Sequence, residues 1–523
     1  MGFAVNYMIR INLNITIVEM ITTKRAATPV LKITRAANEN NGTATNQLLT
    51  HYTAKQNSKY SFEKHLLNLA NIPYEDGFHW DEYQQGLVLG AFFWAHWITQ
   101  IPGGILAKKF GTKVVFGLAN VIGCWLCFLI PIAAYLDYRI LIWLRLAQGL
   151  ITVSGRSMDR KIDVNCEYFQ GLAWPAMHVL TAKWIPPNER SKFVTAYLGS
   201  SVGIALFYPL FGYVMHWASW EWVYHICGVL GTFWWLAWMV LVFDSPIQHP
   251  RISEQELHYI EKSLVASRQT TGSSSLTPWK SILTSRPVWM NVIAQWGGIW
   301  GLFTLMTQAP TYFRVVHNWN ITATGILSGL PHLMRMLFAL VFSMFADYLL
   351  KCEKMSRTNL RKLATAVCCI VKGLMVLALA YFGHNGTAAV VLLTLATMFH
   401  GAVSSGPLAS IVDIAPNYAG IVLGISGTIG VLPGFISPYV VGVLTLGNQT
   451  FESWKNVFLI CSAMLIGSGI LYVFFTDSTL QSWNGHSTSS DDKELQKLTD
   501  HRDEDLKNIK INLSETIEQL SRG

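Results

Sequence analysis

The feature that most constrains this chain is a succession of long apolar runs. Each run has about the 20 residues that a helix needs to cross the hydrocarbon core of a bilayer. The twelve runs lie at 1–20, 84–107, 112–135, 138–152 continued at 171–184, 193–215, 221–243, 288–310, 323–348, 362–382, 388–412, 419–445 and 454–475. Inside lipid a backbone has no water to bond with, so runs of this kind fold as helices. The sequence therefore predicts an all-α membrane protein with 12 transmembrane helices, numbered as spans 1 to 12.

The composition supports this prediction and excludes several classes of function. Of the 523 residues, 51% are hydrophobic and 13% are charged, whereas soluble domains carry about 25% charged residues. The net charge of +8 is spread over short segments between the apolar runs, so we expect no nucleic-acid partner. The eight cysteines show no paired spacing, and no P-loop, zinc or Gly-x-Ser-x-Gly motif occurs. We therefore expect no enzyme, no disulfide framework, no metal site and no cofactor.

The spans form two groups of six. The predicted domains are an N-terminal half at 1–243, a cytoplasmic linker at 244–287, a C-terminal half at 288–475 and a cytoplasmic tail at 476–523. A long polar loop, 21–80, follows span 1 and is predicted to be external. Because the number of spans is even, both termini are expected on the same side of the membrane.

The charge of the loops predicts which side is cytoplasmic. The loops 108–113, 183–192 and 351–362 are rich in Lys and Arg and follow even-numbered spans, so they are predicted to be cytoplasmic. Asn-x-Ser/Thr sequons are acceptors of N-linked glycans. Four of the six in this chain lie in loops that follow odd-numbered spans, at Asn41, Asn320, Asn385 and Asn448. The other two, Asn14 in span 1 and Asn512 in the cytoplasmic tail, are expected to be unmodified. The two signals agree, and we predict glycosylation at these four asparagines.

A charged segment, 153–170, interrupts span 4. Its six charged residues are Arg156, Asp159, Arg160, Lys161, Asp163 and Glu167, and such charges are costly inside a bilayer. Without the segment, the span reads ILIWLRLAQGLITGLAWPAMHVLTAKW, which is continuous and apolar. The ends of the segment can be encoded as a splice donor and a splice acceptor. We therefore predict a retained intron or an error in the gene model; the alternative is a genuine surface insertion.

Polar side chains recur in span 1 at a helical spacing. Asn6, Arg10 and Asn14 follow one another every four residues, with Tyr7 alongside. This spacing places the three residues near one face of a helix.

Span 4 carries a second face of this kind, formed by Arg145, Gln148 and Thr152. Two buried guanidinium groups that face one cavity would bind an anion, because Arg offers a planar fork of donors to carboxylate or phosphate. The alternative is that each Arg pairs with a carbonyl or a carboxylate and locks helices together. The predicted substrate-binding residues are Arg10, Arg145, Asn14 and Tyr7.

Other polar residues in the spans are candidates for ion coupling, because intramembrane ionisable groups are functional by default. The coupling candidates are Thr152, His96, His332 and Asp413. Arg335 and His400 lie in the same spans as the last two. A lone His in a helix bundle is more often a hydrogen-bonded packing residue than a proton carrier, and Asp413 could pair with one of the arginines.

Several motifs are specific enough to compare with known families. They are NYMIRINLNITIVEM at 6–20, FFWAHWITQIPGGILAKKFGTK at 92–113, PAMHVLTAKWIPPNERSKF at 175–193 and DIAPNYAGIVLGISGTIG at 413–430. Together they resemble the solute-carrier 17 (anion:cation symporter) family of the major facilitator superfamily. The segments QWGGIWGLFTLMTQAPTYF and SGLPHLMRMLFALVFSMFADYLL, at 295–313 and 328–350, look most like its branch named for inorganic phosphate cotransport. The resemblance implies the major facilitator fold, with two six-helix halves.

The resemblance also implies roles for single residues. Arg10 and Arg145 match the family's intramembrane arginines on spans 1 and 4. Thr152 stands where vesicular members have a glutamate tied to proton coupling. Gly298 stands where the vesicular glutamate branch has an arginine on span 7, and His332 matches a histidine that this branch keeps. The two departures argue against a glutamate carrier and weaken the case for proton coupling.

The function implied by the resemblance is secondary active transport by alternating access. The expected substrate is a small anion, inorganic phosphate, with sodium as the co-ion. The protein is expected to be a monomer in contact with membrane lipid, in the plasma membrane. Three alternatives stay open: a proton-coupled organic-anion carrier of the sialin type in lysosomal or vesicular membrane, a non-transporting receptor or scaffold, and an inactive splice product.

Overall fold

The apolar runs fold into a bundle of helices. The computed structural model describes residues 2–21, 77–96, 111–151, 180, 184, 199–270, 278–416 and 418–485. Its helices are α1 (Gly2–Met20), α2 (Glu82–His96), α3 (Thr112–Cys127), α4 (Ile130–Leu136), α5 (Tyr138–Ile151), α6 (Gly199–Trp217), α7 (Glu221–Leu241), α8 (Glu254–Thr270), α9 (Trp279–Thr284), α10 (Arg286–Val315), α11 (Ile321–Lys351), α12 (Arg357–Phe382), α13 (Gly386–Ile414), α14 (Ala419–Leu444) and α15 (Phe451–Phe475). By length and composition, six described helices can cross a membrane, and the bent pair of α3 and α4 makes a seventh.

The helices coincide with the predicted spans in the parts of the chain that the structure describes. α1 follows span 1, α6 and α7 follow spans 5 and 6, and α10 to α15 follow spans 7 to 12. The linker between the halves contributes α8 and α9. Spans 2 and 4 are described as far as His96 and Ile151. The predicted insertion at 153–170 therefore lies outside the described residues.

Three spans are bent or rewound. α3 and α4 meet at 45°, next to Pro131, which has no N–H to continue the helical hydrogen bonds. α12 contains a π-helical turn at Ala366–Val371, and α13 contains a 3-10 turn at His400–Ser404. These two turns pack against each other in the C-terminal half. Turns of both kinds often mark functional positions in helices.

Two helix pairs join the halves. α6 packs along α11, and α2 packs along the second part of α14. α1 lies against α6 in its own half and also reaches α10 of the other half. Within the C-terminal half, α10 and α12 both pack on α15. The contact between the halves therefore runs along α1, α2, α6, α10, α11 and α14.

Glycines allow the two joining pairs to approach closely. A methyl group on Gly325 of α11 would lie 2.6 Å from the carbonyl oxygen of Tyr208 and 3.0 Å from Cα of Gly212, both on α6. A methyl group on Gly86 of α2 would lie 2.5 Å from the carbonyl oxygen of Pro438 on α14. Rotating a side chain cannot relieve contacts with backbone atoms, so small residues set how near these helices come.

One end of the bundle, which we call the sequon end, carries three of the four sequon asparagines. Asn320 and Asn385 are exposed and cap the first turns of α11 and α13. Asn448 is exposed in the loop before α15. In this loop the N–H of Gly447 donates to a carboxylate oxygen of Glu82, at the start of α2, at 3.0 Å. The loops predicted to be external thus gather at the sequon end.

At the opposite end, two half-buried acids, Asp244 and Asp413, form hydrogen bonds between segments. Oδ1 of Asp244 accepts from the backbone N–H of Lys113 at 2.8 Å. Oδ2 of Asp413 accepts from Nε of Arg361 at 2.7 Å. Both contacts join loops or helix ends that follow even-numbered spans, where cytoplasmic loops are predicted.

Candidate functional site

The arginine of α1 is enclosed by aromatic rings. Arg10 is 6% exposed. Its guanidinium carbon lies 5.0 Å from the centre of the Tyr7 ring and 5.5 Å from the centre of the Phe92 ring. These are distances at which a cation is attracted to the face of a ring. Because Phe92 belongs to α2, the charge is held between two helices of the bundle.

Arg145 of α5 meets the same ring. It is 1% exposed, and its guanidinium carbon lies 5.9 Å from the centre of the Phe92 ring. Its Nη1 donates to the carbonyl oxygen of Ile9 at 3.1 Å and to Oε1 of Gln148 at 2.9 Å. Arg145 thus ties α5 to the backbone of α1 beside Arg10. The structure brings the two predicted arginines together, and it gives Arg145 the carbonyl partner of the alternative interpretation.

The two asparagines of α1 that we singled out from the sequence, Asn6 and Asn14, reach different neighbours. Nδ2 of Asn6 donates to Oδ1 of Asn120 on α3 at 3.0 Å, whereas Nδ2 of Asn14 donates to the hydroxyl of Tyr208 on α6 at 3.3 Å. A helical turn has 3.6 residues, so each step of four residues turns about 40° around the helix. Asn6 and Asn14 therefore lie about 80° apart, which is enough to bring them against different helices. Their role in substrate binding stays a prediction.

Tyr208 extends the contact of Asn14 into the other half. Its hydroxyl donates to the carbonyl oxygen of Met306 in α10 at 2.6 Å. That carbonyl lacks a partner in its own helix, because Pro310 stands four residues later and has no N–H. The chain of hydrogen bonds from Asn14 to Met306 connects the halves. In this conformation the amide of Asn14 serves a contact between helices.

A second group of basic side chains lies inside the C-terminal half. His332 and Arg335 of α11, Lys372 of α12 and His400 of α13 are 0% to 8% exposed. We call these four residues the basic cluster. His400 lies within electrostatic range of the other three, and Arg335 lies within electrostatic range of Tyr7 of α1. Tyr7 is thus near both the basic cluster and Arg10 of the first half.

The basic cluster has few partners of its own. Among the residues that the structure describes, the ion pairs are Arg314–Glu19, Arg361–Asp413 and Lys455–Glu452, so none neutralises the cluster. Nε of Arg335 and Nδ1 of His332 and of His400 have no hydrogen-bond partner there. Buried polar atoms without partners are unfavourable. An anion that entered between the halves would supply both the missing acceptor atoms and the missing charge.

The structure does not bring every predicted residue to this region. Asp413 is paired with Arg361 at the opposite end, so it does not pair with an intramembrane arginine. Thr152 and Asn41 lie outside the described residues, as does the side chain of His96. Of the coupling candidates with described side chains, His332 is the one in the basic cluster.

Sequence reasoning overlooked Lys372 and Phe92. Lys372 interrupts the apolar run AVCCIVKGLMVLALAYF, so the rule that singles out intramembrane charges would have found it. Phe92 carries no such signal, because an aromatic residue in a span is most often a packing residue and the chain has 26 Phe.

Comparison with known proteins gives consistent results. The sequence profile of the Major Facilitator Superfamily matches residues 5–157 and 166–438. The chain is 35% identical to vesicular glutamate transporter 1 of Bos taurus over 80% of this chain and 71% of the relative. It is 33% identical to vesicular glutamate transporter 2 of Homo sapiens over 80% and 69%. It is 32% identical to vesicular glutamate transporter 1 of Xenopus laevis over 94% and 76%.

Solved structures resemble the chain along most of its length. A D-xylose-proton symporter superposes with a TM-score of 0.54 at 13% identity, over 91% of this chain and 97% of that chain. The inward-open conformation of the xylose transporter XylE from E. coli gives 0.54 at 14% identity, over 91% and 95%. At this level of identity the likeness concerns the fold alone.

Proposed function

Since the chain belongs to the major facilitator superfamily and, within it, to the solute-carrier 17 family of anion:cation symporters, we propose that it is a sodium-dependent inorganic phosphate symporter. The membership confirms the predicted fold. The protein is a multi-pass integral membrane protein and a secondary transporter, not an enzyme. The proposal concerns which anion is carried, which co-ion drives its transport and which membrane holds the protein.

The observation that supports an anionic substrate is the convergence of basic side chains from both halves. Arg10 and Arg145 belong to the first half and Arg335 to the second; Tyr7 contacts Arg10 and lies within electrostatic range of Arg335. Guanidinium groups bind phosphate and carboxylate through charge-assisted hydrogen bonds. A site shared by two halves can face either side in turn when the halves rock.

Two departures that the family resemblance implies support sodium as the co-ion. By that resemblance, Thr152 stands where vesicular members have a glutamate tied to proton coupling, and a hydroxyl does not take up a proton in the physiological range. Gly298 stands where the glutamate branch has an arginine. A metal cation that enters with the anion would lower the electrostatic cost of loading a doubly charged phosphate. The plasma membrane is the location that fits this mode of uptake.

A proton-coupled carrier of organic anions is the second candidate. It is favoured by the relatives, which are named vesicular glutamate transporters. A carboxylate uses the same guanidinium donors as a phosphate, so the arginines fit both substrates. This candidate places the protein in a lysosomal or vesicular membrane.

Uptake into liposomes separates the two candidates. The form that lacks 153–170 is reconstituted and offered labelled phosphate or labelled glutamate, in sodium or choline buffer, with and without an inward proton gradient. We expect phosphate uptake that requires sodium and ignores the proton gradient. Glutamate uptake driven by the proton gradient alone would establish the second candidate instead. Failure to move either anion under any gradient would contradict the anion site.

Replacing Arg335 tests whether the site is the one described. Arg335→Ala should reduce uptake by about 10- to 150-fold, because a hydrogen bond to a charged group contributes about 1.5–3 kcal/mol. Arg139→Ala is the matched control, since Arg139 is exposed and contacts Tyr138. Equal uptake by the two variants would remove Arg335 from the site.

We also propose that 153–170 is not part of the working transporter. The two segments that match the superfamily profile leave out residues 158–165, which lie inside it. The full-length chain should then transport far less than the shortened form when equal amounts are reconstituted. Glycosylation at Asn41, Asn320, Asn385 and Asn448 is a further proposal, supported by the exposure of the three that the structure describes. A mass shift on glycosidase treatment tests it.

A further inference from the structure

Lys372 is an unusual residue for the interior of a membrane bundle. It lies in the middle of α12 and is 0% exposed. Its Nζ donates to the carbonyl oxygen of Gly298 on α10 at 3.4 Å. Its other electrostatic neighbours include the thiols of Cys369 and Cys461 and the guanidinium of Arg335. In the part of the chain that the structure describes, no carboxylate pairs with it.

A neutral carbonyl is a weak partner for a buried ammonium. Removing a charge from water costs far more than one hydrogen bond to an uncharged oxygen returns. The cost rises further because the guanidinium of Arg335 lies nearby, and like charges repel strongly in a low dielectric. The arrangement is favourable only when a negative charge joins it.

Gly298 of α10, whose carbonyl accepts from Lys372, could carry a methyl group without overlap. A methyl group on Gly298 would lie 3.5 Å from Cε1 of His400 and 3.9 Å from Sγ of Cys369, which are ordinary contacts. The glycine also lets the ammonium approach the backbone directly. Lys372, Gly298 and His400 thus lie together where α10, α12 and α13 meet, on the side of α11 that carries Arg335.

We propose that the basic cluster is an anion-binding subsite of the C-terminal half, and that Lys372 supplies the charge on which its affinity depends. The inference rests on the proposed anion transport and assigns it a residue in the second half. Arg335 and His332 offer donor atoms to a small oxyanion. Lys372 acts from behind the α10 backbone, as a positioning charge. Phosphate and carboxylates share this chemistry, and the experiment includes both.

The competing explanation is that Lys372 only satisfies the carbonyl of Gly298. The two explanations differ in what a neutral residue of similar length would do. If Lys372 only ties α12 to α10, Lys372→Met should lower the melting temperature of the protein without anion and leave the response to anion intact. If Lys372 is the charge for the anion, the variant should be at least as stable without anion, because a buried charge has been removed, and the response should be lost.

The experiment measures the melting temperature of purified protein in detergent, with and without inorganic phosphate and with and without glutamate. Lys455→Met is the matched control, since Lys455 is half-buried at the sequon end and pairs with Glu452. Uptake in liposomes adds a second measurement. We expect Lys372→Met to keep the melting temperature of the wild type without anion, to lose the anion-induced rise, and to need about tenfold or more phosphate for half-saturation.

A further variant keeps the inference testable if Lys372→Met folds poorly. The double variant Gly298→Lys, Lys372→Met places the lysine on α10 instead of α12. The Cβ of the new side chain would make only ordinary contacts there. We expect this double variant to regain part of the anion-induced rise. The inference is overturned if Lys372→Met keeps the rise, or if the folded double variant shows none. A wild-type protein that responds to neither anion would instead contradict the proposed function itself.

Discussion

Replacing Gly325 by alanine should shift the transporter away from the conformation of this structure. The added methyl group would lie 2.6 Å from the carbonyl oxygen of Tyr208 and 3.0 Å from Cα of Gly212. Since both are backbone atoms, α6 and α11 must move apart to relieve the contact. Overpacking of this kind costs about 1–3 kcal/mol. We call the arrangement in which α6 and α11 are in contact near the sequon end, as in this structure, the closed conformer, and one in which they are apart the open conformer. The ratio of closed to open should fall by about five- to 150-fold.

A distance measurement between spin labels reports this ratio. Labels on Trp217→Cys in α6 and Tyr439→Cys in α14 lie in different halves, and both positions are exposed, at 72% and 43%. The native cysteines Cys352 and Cys166 are replaced by serine beforehand; the other six are buried. We expect the short-distance population to shrink and a longer one to grow in Gly325→Ala.

The control is Gly467→Ala in α15, where an added methyl group meets nothing within 4 Å. Alanine also favours a helix over glycine by about 1 kcal/mol. Gly325 lies in a helix here, and because the halves move as rigid bodies when they rock, we expect this gain to cancel in the ratio. Identical distance distributions in Gly325→Ala and Gly467→Ala would refute the idea that the α6–α11 contact closes the sequon end.

Three further substitutions test the contacts inside the bundle. Arg145→Ala should abolish uptake while the protein still reaches the membrane, as uptake and surface labelling would show. It should also lower the stability of the protein by about 1.5–3 kcal/mol for each lost hydrogen bond. Wild-type uptake would exclude Arg145 from the site. Tyr208→Phe leaves the Met306 carbonyl without its donor and should destabilise the closed conformer by about 1–3 kcal/mol. The spin-label distances should then shift toward the open conformer, and an unchanged distribution would contradict this. Arg361→Ala should lower the free energy of unfolding by about 1.5–3 kcal/mol, measured by thermal unfolding. In a double-mutant cycle with Asp413→Ala, most of this loss should appear as coupling energy between the two residues. Additive effects would mean that the ion pair contributes nothing to stability.

Much of the fold was predictable because its causes are local. A run of about 20 apolar residues has few ways to satisfy its backbone in lipid, and the helices follow the predicted runs where they are described. The arginines of α1 and α5 were predictable for a related reason, since one charge stands out in an apolar run. The same rule applied to α12 would have added Lys372.

The remaining parts of the site depend on contacts between distant segments. The sequence did not reveal that the guanidinium groups of Arg10 and Arg145 would both contact the ring of Phe92. It also did not reveal that Asp413 would pair with Arg361 on a neighbouring helix. Helix spacing alone also did not reveal that Asn6 and Asn14 bond to different helices. Such contacts follow from how helices pack against one another, which periodicity within a single helix does not determine.

The carbonyl of Met306 has a consequence for the transport cycle. Its own helix offers it no donor, because of Pro310, and Tyr208 reaches it only while the halves are together at this point. When the halves part, that oxygen has to accept a hydrogen bond from water instead. Its stretching vibration should therefore differ between the two conformers. An isotope-edited infrared spectrum of this single peptide group would follow the cycle without any foreign probe attached to the protein.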